Sequence, residues 1–216
     1  MRKSLMAIGL ALWLAQPAAA EPAYDLIFKQ GTLSDLGMQS VLVYDRQVEI
    51  AADLDRARRS TGTVDMAFAT DDMAQLTFRQ DDKHQSLGRF PASVGNPIVM
   101  YFVETVLRDV AHEAGGSPFY IRTKIKDSLV QPAEIESVTL RFGDRDVAGQ
   151  KITLHPFRDD ENRDRMKGYG DLSLSFTVSE DYPGWYGALV ADVPGETETQ
   201  PIYSNRLILT GEEVRQ

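Results

Sequence analysis

The chain carries three histidines, His84, His112 and His155, and no two of them stand at a short metal-ligand spacing. His112 falls on the polar side of an amphipathic stretch, where solvation explains it, and no His-centred metal site is expected. Cysteine is absent, which excludes disulfides, thiolate nucleophiles and thiolate metal sites. The nearest approach to a cation loop starts at Asp160. Asp160, Asn162, Asp164 and Asp171 occupy positions 1, 3, 5 and 12 of a calcium loop. The sixth position, which needs glycine for its turn, is Arg165, and the twelfth is Asp rather than a bidentate Glu. Arg163 and Lys167 also set positive charge beside any ion, so a solvated hairpin loop is the better reading. No G-x-S-x-G elbow occurs, and a hydrolase would need its groups assembled by the fold, such as His155 beside a carboxylate. Gly168-Tyr169-Gly170 lacks the further glycine and the strand-to-helix setting of a dinucleotide loop and reads as a turn. No cofactor is implied.

The remaining chemistry is apolar contact. Trp185, in Pro183-Gly184-Trp185-Tyr186, either anchors a core or lines a pocket mouth with its indole N–H towards water; core packing is favoured. Phe28, Phe78, Phe102 and Trp185 are the candidates to touch an apolar ligand. The basic clusters Arg56-Ala57-Arg58-Arg59 and Arg122, Lys124, Lys126 read as solvated faces.

What positions these residues begins after an export signal. Arg2 and Lys3 precede an apolar run from Leu5 to Leu14, and Pro17 leads into Ala18-Ala19-Ala20, a small-residue cleavage site. A stable span needs roughly twenty apolar residues, so cleavage after Ala20 is expected rather than anchoring. The paired arginines of a twin-arginine signal are missing. The expected mature chain, residues 21–216, is one periplasmic or secreted domain without a membrane span. Removing Arg2 and Lys3 takes the formal charge from −9 to −11. Such an acidic chain repels nucleic acid and anionic head groups.

Tyr24 to Lys29 and Ser40 to Val48 are rich in strand formers and are separated by a turn from Gly31 to Gly37. Val64, Met66 and Phe68, then Leu76 and Phe78, alternate as a hairpin about Asp71-Asp72, and Leu87 to Phe90 makes a short strand. Asn96-Pro97 offers a cap and a first-turn proline, after which Val99, Phe102, Val103, Val106 and Val110 mark a helical stripe. Glu104 and Arg108 stand four apart in the favourable order. Gly115-Gly116 ends this helix, and Ser117-Pro118 starts a second, with Ile121, Ile125 and Leu129 four apart; an extended 119–125 segment is the competing reading. Strands return at Val138–Phe142, Ile152–Leu154, Leu172–Val178, Ala188–Val190 and Leu207–Leu209. The fold class is α+β: a large curved antiparallel sheet, an incomplete β-barrel, with a helical hairpin inserted near its middle.

The opening Tyr24-Asp25-Leu26-Ile27-Phe28 segment, the Gly-Asn-Pro-led helix and the Val178-Ser179-Glu180-Asp181-Tyr182-Pro183 stretch fall in an order that resembles the superfamily of the periplasmic lipoprotein carriers LolA and LolB, together with related exported domains of unknown function. The resemblance covers most of the mature chain as an order of elements. It implies an incomplete barrel whose concave apolar face, closed by helices, takes up acyl chains. No carrier residue transfers to a numbered position. The leading expectation is a non-catalytic binding or carrier module for a lipid or other apolar or amphiphilic ligand. An envelope interaction or scaffold protein, partnered by another envelope protein, is the next, and a hydrolase assembled only in three dimensions is the third.

Overall fold

The computed structural model describes residues 23–68, 72–197 and 200–214; the expected export signal lies outside them. After a short helix α1 (Ala23–Ile27) come β1 (Ser40–Ile50), helix α2 (Leu54–Ser60), and β2 (Gly62–Phe68), β3 (Met73–Gln80) and β4 (Lys83–Pro91). Helices α3 (Ile98–Ala114) and α4 (Pro118–Ser128) follow. The chain then runs through β5 (Glu134–Phe142), β6 (Arg145–Leu154), β7 (Ser173–Val178), β8 (Tyr186–Val193) and β9 (Tyr203–Val214).

All nine strands join one antiparallel sheet in the order β4-β3-β2-β1-β9-β8-β7-β6-β5. The first and last strands of that order are not paired to one another, so the sheet stays open. Alternation decides its faces: Leu42, Tyr44, Val48 and Ile50 of β1 are buried, while Gln47 and Glu49 between them are exposed. The buried face packs against α1, α3 and α4, and Ile27, Phe102, Val106 and Ile121 share one core with Leu42, Phe176, Leu189 and Leu207. Phe102 meets Phe176 edge to face at 5.9 Å. Burying a side chain of this size contributes about 1.5–3 kcal/mol.

The helical hairpin forms as the stripes predict. Gly115, at φ 78°, takes the left-handed position that ends α3, and Pro118 opens α4. The backbone of Pro118–Ser128 is helix rather than strand, and it buries Ile121 and Ile125, with Leu129 just after it. Glu104 differs from expectation, pairing across the hairpin with Arg122 of α4 at 3.1 Å.

Two further differences have local causes. Residues 23–27 are helix, not strand: Ala23, Leu26 and Ile27 bury one face at spacings of three and four. The last carbonyls of this turn accept from distant side chains, Leu26 O from the Trp185 indole at 2.9 Å and Ile27 O from the Tyr186 hydroxyl. Tertiary partners thus satisfy the end of a helix too short to hold itself. In the Arg56–Arg59 cluster, on α2, Arg58 and Arg59 are exposed as expected, but Arg56 turns in to Asp109 and Glu113. Asp53 accepts the Arg56 N–H at 2.9 Å as an N-cap, with Asp55 in the first turn.

Candidate functional site

A cavity of about 1050 Å³ opens where α2, the ends of β1 and β3, and residues 195, 196 and 200–202 meet. Val48, Ile50, Leu54, Ala57, Pro201 and Ile202 give it an apolar floor. Glu49, Arg58, Arg79, Asp81 and Glu196 ring it with charge of both signs. Several rim groups are tied down. Gln80 donates its amide to Arg58 O (2.7 Å) and Thr61 O (2.6 Å), closing the C-terminal end of α2, and Arg79 pairs with Asp65 at 2.6 Å. An apolar floor under a fixed polar rim suits a molecule that is itself apolar at one part and polar at another.

Beside this cavity a polar seam runs through the core. Tyr101, Thr105 and Asp109 stand four apart on α3 and face Arg46 of β1 and Tyr203 and Asn205 of β9. Arg46 donates to the Tyr101 hydroxyl at 2.8 Å. The Asn205 amide donates to Tyr203 (3.2 Å) and Thr105 (3.4 Å), and the Tyr203 hydroxyl donates to Asp109 Oδ2 at 2.9 Å. Arg56 of α2 closes the far end on Asp109 and, at 2.9 Å, on Glu113. Burial, reinforced by the Asp109 carboxylate, pushes the Tyr203 phenol far above its ordinary range, so it remains a donor. Sequence reading missed this seam, because the apolar stripe of α3 accounted for the helix by itself. The available signal was polar Tyr101, Thr105 and Asp109 at a spacing of four.

The four aromatic candidates do not converge on one cavity. Phe102 lies in the core against Phe176. Phe78 is partly buried against the core beside Arg46. Phe28 lines a separate apolar groove of about 410 Å³ with Tyr24, Phe90, Val94 and Met100. Trp185 is buried, donates its indole N–H to Leu26 O rather than to water, and carries the Lys29 ammonium 4.0 Å from its ring centroid. It also lines two grooves of about 490 and 570 Å³.

In the acidic loop, the protein's own donors occupy the carboxylates. Asp160 takes Lys124 at 2.7 Å, the Tyr120 hydroxyl and the Asn162 N–H (2.8 Å), and Asp171 takes Arg163. Among the described residues no three acidic or histidine side chains gather as metal ligands. Burial opposes ionisation of Asp160, but the Lys124, Tyr120 and Asn162 donors outweigh it and hold the carboxyl below its ordinary value. A depressed folded-state pKa gives stability that is present above the unfolded value, about 3.9, and lost as pH falls through the folded one. Asp160→Asn is therefore expected to lower the urea midpoint at neutral pH, with the gap to wild type closing below about pH 4. A gap that stays constant down to pH 2 contradicts this assignment.

A small cleft of about 230 Å³ does place His155 beside a carboxylate. His155 Nε2 lies 3.6 Å from Glu134 Oε1, which also holds Arg158. Arg158 first, and His155 after it, keep Glu134 below its ordinary range. The two hydroxyls lining the cleft are committed: Ser128 donates to Ile125 O at 2.7 Å, and Thr153 and Ser175 share a bond of 3.0 Å. The group thus reads as an ion-pair hub rather than a nucleophile with its base.

No protein-family model matches the chain, and no curated protein matches it in sequence. Among solved structures, the Mycobacterium tuberculosis lipoprotein LppX aligns over 88% of this chain and 95% of its own, at 12% identity and a TM-score of 0.38. A likeness this distant carries no argument about function. The chain is an α+β protein built on one open nine-stranded antiparallel sheet with helices packed on its buried face.

Proposed function

We propose that the protein is an exported, non-catalytic binding or carrier module for an amphiphilic, lipid-like ligand. The cavity between α2 and the sheet carries this reading. Its volume of about 1050 Å³ is just above the roughly 300–1,000 Å³ usual for small-molecule sites. Its apolar floor and charged rim match a molecule of two characters. The basic, apolar and small-residue order of the first twenty residues supports export to the periplasm or beyond it.

Native mass spectrometry of protein purified from the periplasm is expected to show a retained amphiphile. Leu54 is the variable to test in the cavity, since it lines the floor yet is 69% exposed, and replacing it spares the core. Leu54→Glu is expected to weaken binding of a fluorescent fatty-acid probe about tenfold, with an unchanged unfolding midpoint, because the new carboxylate loses water only when the probe's apolar chain covers it. Protein that is always empty and ignores such probes would sink the proposal.

A further inference from the structure

Arg46 is 7% exposed, and among the described residues it makes no ion pair. One nitrogen donates to Tyr101; its Nε has no hydrogen-bond partner. Its guanidinium carbon lies 5.5 Å from the Tyr101 ring centroid and 6.0 Å from that of Phe78. Aromatic faces soften the loss of water around a cation but do not replace an anion. Buried charges are ordinarily paired, because desolvating an ion costs several kcal/mol. The carboxylates nearest in the seam are spent elsewhere: Asp109 and Glu113 both hold Arg56.

A second orphan sits close by. Asn205 is fully buried and its Oδ1 has no partner. In the β1–β9 register Arg46 opposes Leu207 and Val48 opposes Asn205, so Arg46 and Asn205 are diagonal neighbours on the buried face. Arg46 itself does not line the cavity, but the neighbouring positions on the same face do. Val48 and Gln80, the next residues on that face after Arg46 and Phe78, both line it.

We infer that Arg46 is the subsite for an anionic head group, a carboxylate or a phosphate monoester, of the amphiphile whose chain occupies the adjacent cavity. The guanidinium presents Nε–H to an acceptor oxygen, and Asn205 Oδ1 takes the hydroxyl of a singly protonated phosphate head or, for a carboxylate, of a water carried with it. Tyr101 holds the guanidinium plane. This inference rests on the cavity being the ligand site.

Calorimetric titration of the full mature chain with dodecanoate, dodecyl phosphate, dodecanol and inorganic phosphate tests it, alongside Arg46→Met and Arg46→Lys. Wild type is expected to bind at least one of the two anionic amphiphiles at least tenfold more tightly than dodecanol. Whichever anion binds better identifies the head, and binding of inorganic phosphate alone would identify a free anion as the occupant of the same subsite. Arg46→Met should bind all three chains within about twofold of one another. Arg46→Lys, which keeps the charge but loses the planar fork, should retain part of the preference. A methionine in place of an unpaired buried cation should fold at least as stably as wild type; if it does not, the lysine variant carries the comparison. If dodecanol binds as tightly as the anions, Arg46 is satisfied by water, and the subsite falls while the cavity reading stands. If none of the four binds, both fall.

Discussion

Asn96→Ala is expected to lower the unfolding free energy by about 3 kcal/mol and the thermal midpoint by about 6–12 °C. Asn96 is 3% exposed and ties three parts of the chain together. Its Oδ1 accepts the Ile98 N–H at 3.0 Å at the start of α3. Its Nδ2 donates to the Tyr44 hydroxyl of β1 (3.2 Å) and to Gly184 O (2.9 Å) in the turn before β8. That turn has little tolerance: Gly184 stands at φ 76° and Trp185 at φ 83°, and a Cβ on Gly184 would meet Leu42 at 2.6 Å. Each buried group left without a partner costs about 1–3 kcal/mol, and relaxation recovers some of it. Asn96→Asp separates the two roles. Aspartate caps a helix about as well as asparagine, so a residue that only caps α3 would tolerate the change. A clamp would not, because a carboxylate cannot donate to Gly184 O. The aspartate variant is therefore expected to lose at least as much as alanine in urea unfolding followed by circular dichroism. A near-wild-type Asn96→Asp would reduce Asn96 to a cap.

The same residue shows how far the sequence could be read. Asn96-Pro97 announced the start of α3, and the alternation of β7 and of the β2–β3 pair announced strands, because these signals are local. Period and cap chemistry lie within a few residues of what they specify. The donation of Asn96 to Gly184, 88 positions away, has no local trace. Residues 23–27 fail for the same reason. Tyr24, Ile27 and Phe28 favour a strand by composition, and the helix is held by Trp185 and Tyr186, 159 positions further on. The candidate site divides in the same way. Val48 was legible as the end of a strand, but not the convergence of α2 and residues 195, 196 and 200–202 beside it. Phe78, chosen as an aromatic for an apolar ligand, stacks under Arg46, a residue the sequence reading did not single out. Nothing local marks a cation as buried, since its burial depends on α3 crossing above it.

Asp109→Ala is expected to be the more damaging substitution, at about 4 kcal/mol, because it takes the acceptor from buried Tyr203 and half the ion pairing from part-buried Arg56. Asp109 is itself buried, and its two oxygens serve Arg56 of α2 and the fully buried Tyr203 hydroxyl of β9. Without it Arg56 keeps only Glu113, and Tyr203 loses its acceptor. The size of that loss does not measure what the ion pair contributes. Bringing Arg56 and Asp109 out of water costs nearly what their attraction returns, so an apolar pair of similar volume can be almost neutral. Arg56→Met combined with Asp109→Leu is accordingly expected to recover about half of the single-variant loss. The remainder stays because Glu113 and the Tyr203 hydroxyl are still left behind. The double variant also separates stability from specification. Arg56 held between Asp109 and Glu113, together with the Asp109–Tyr203 and Arg46–Tyr101 bonds, ties α3 across β1 and β9. A well-folded double variant in which Arg46→Met no longer changes the ligand preference would mean that the seam orients Tyr101 and Arg46. Retention of the full preference would mean that the apolar stripe of α3 suffices for that orientation.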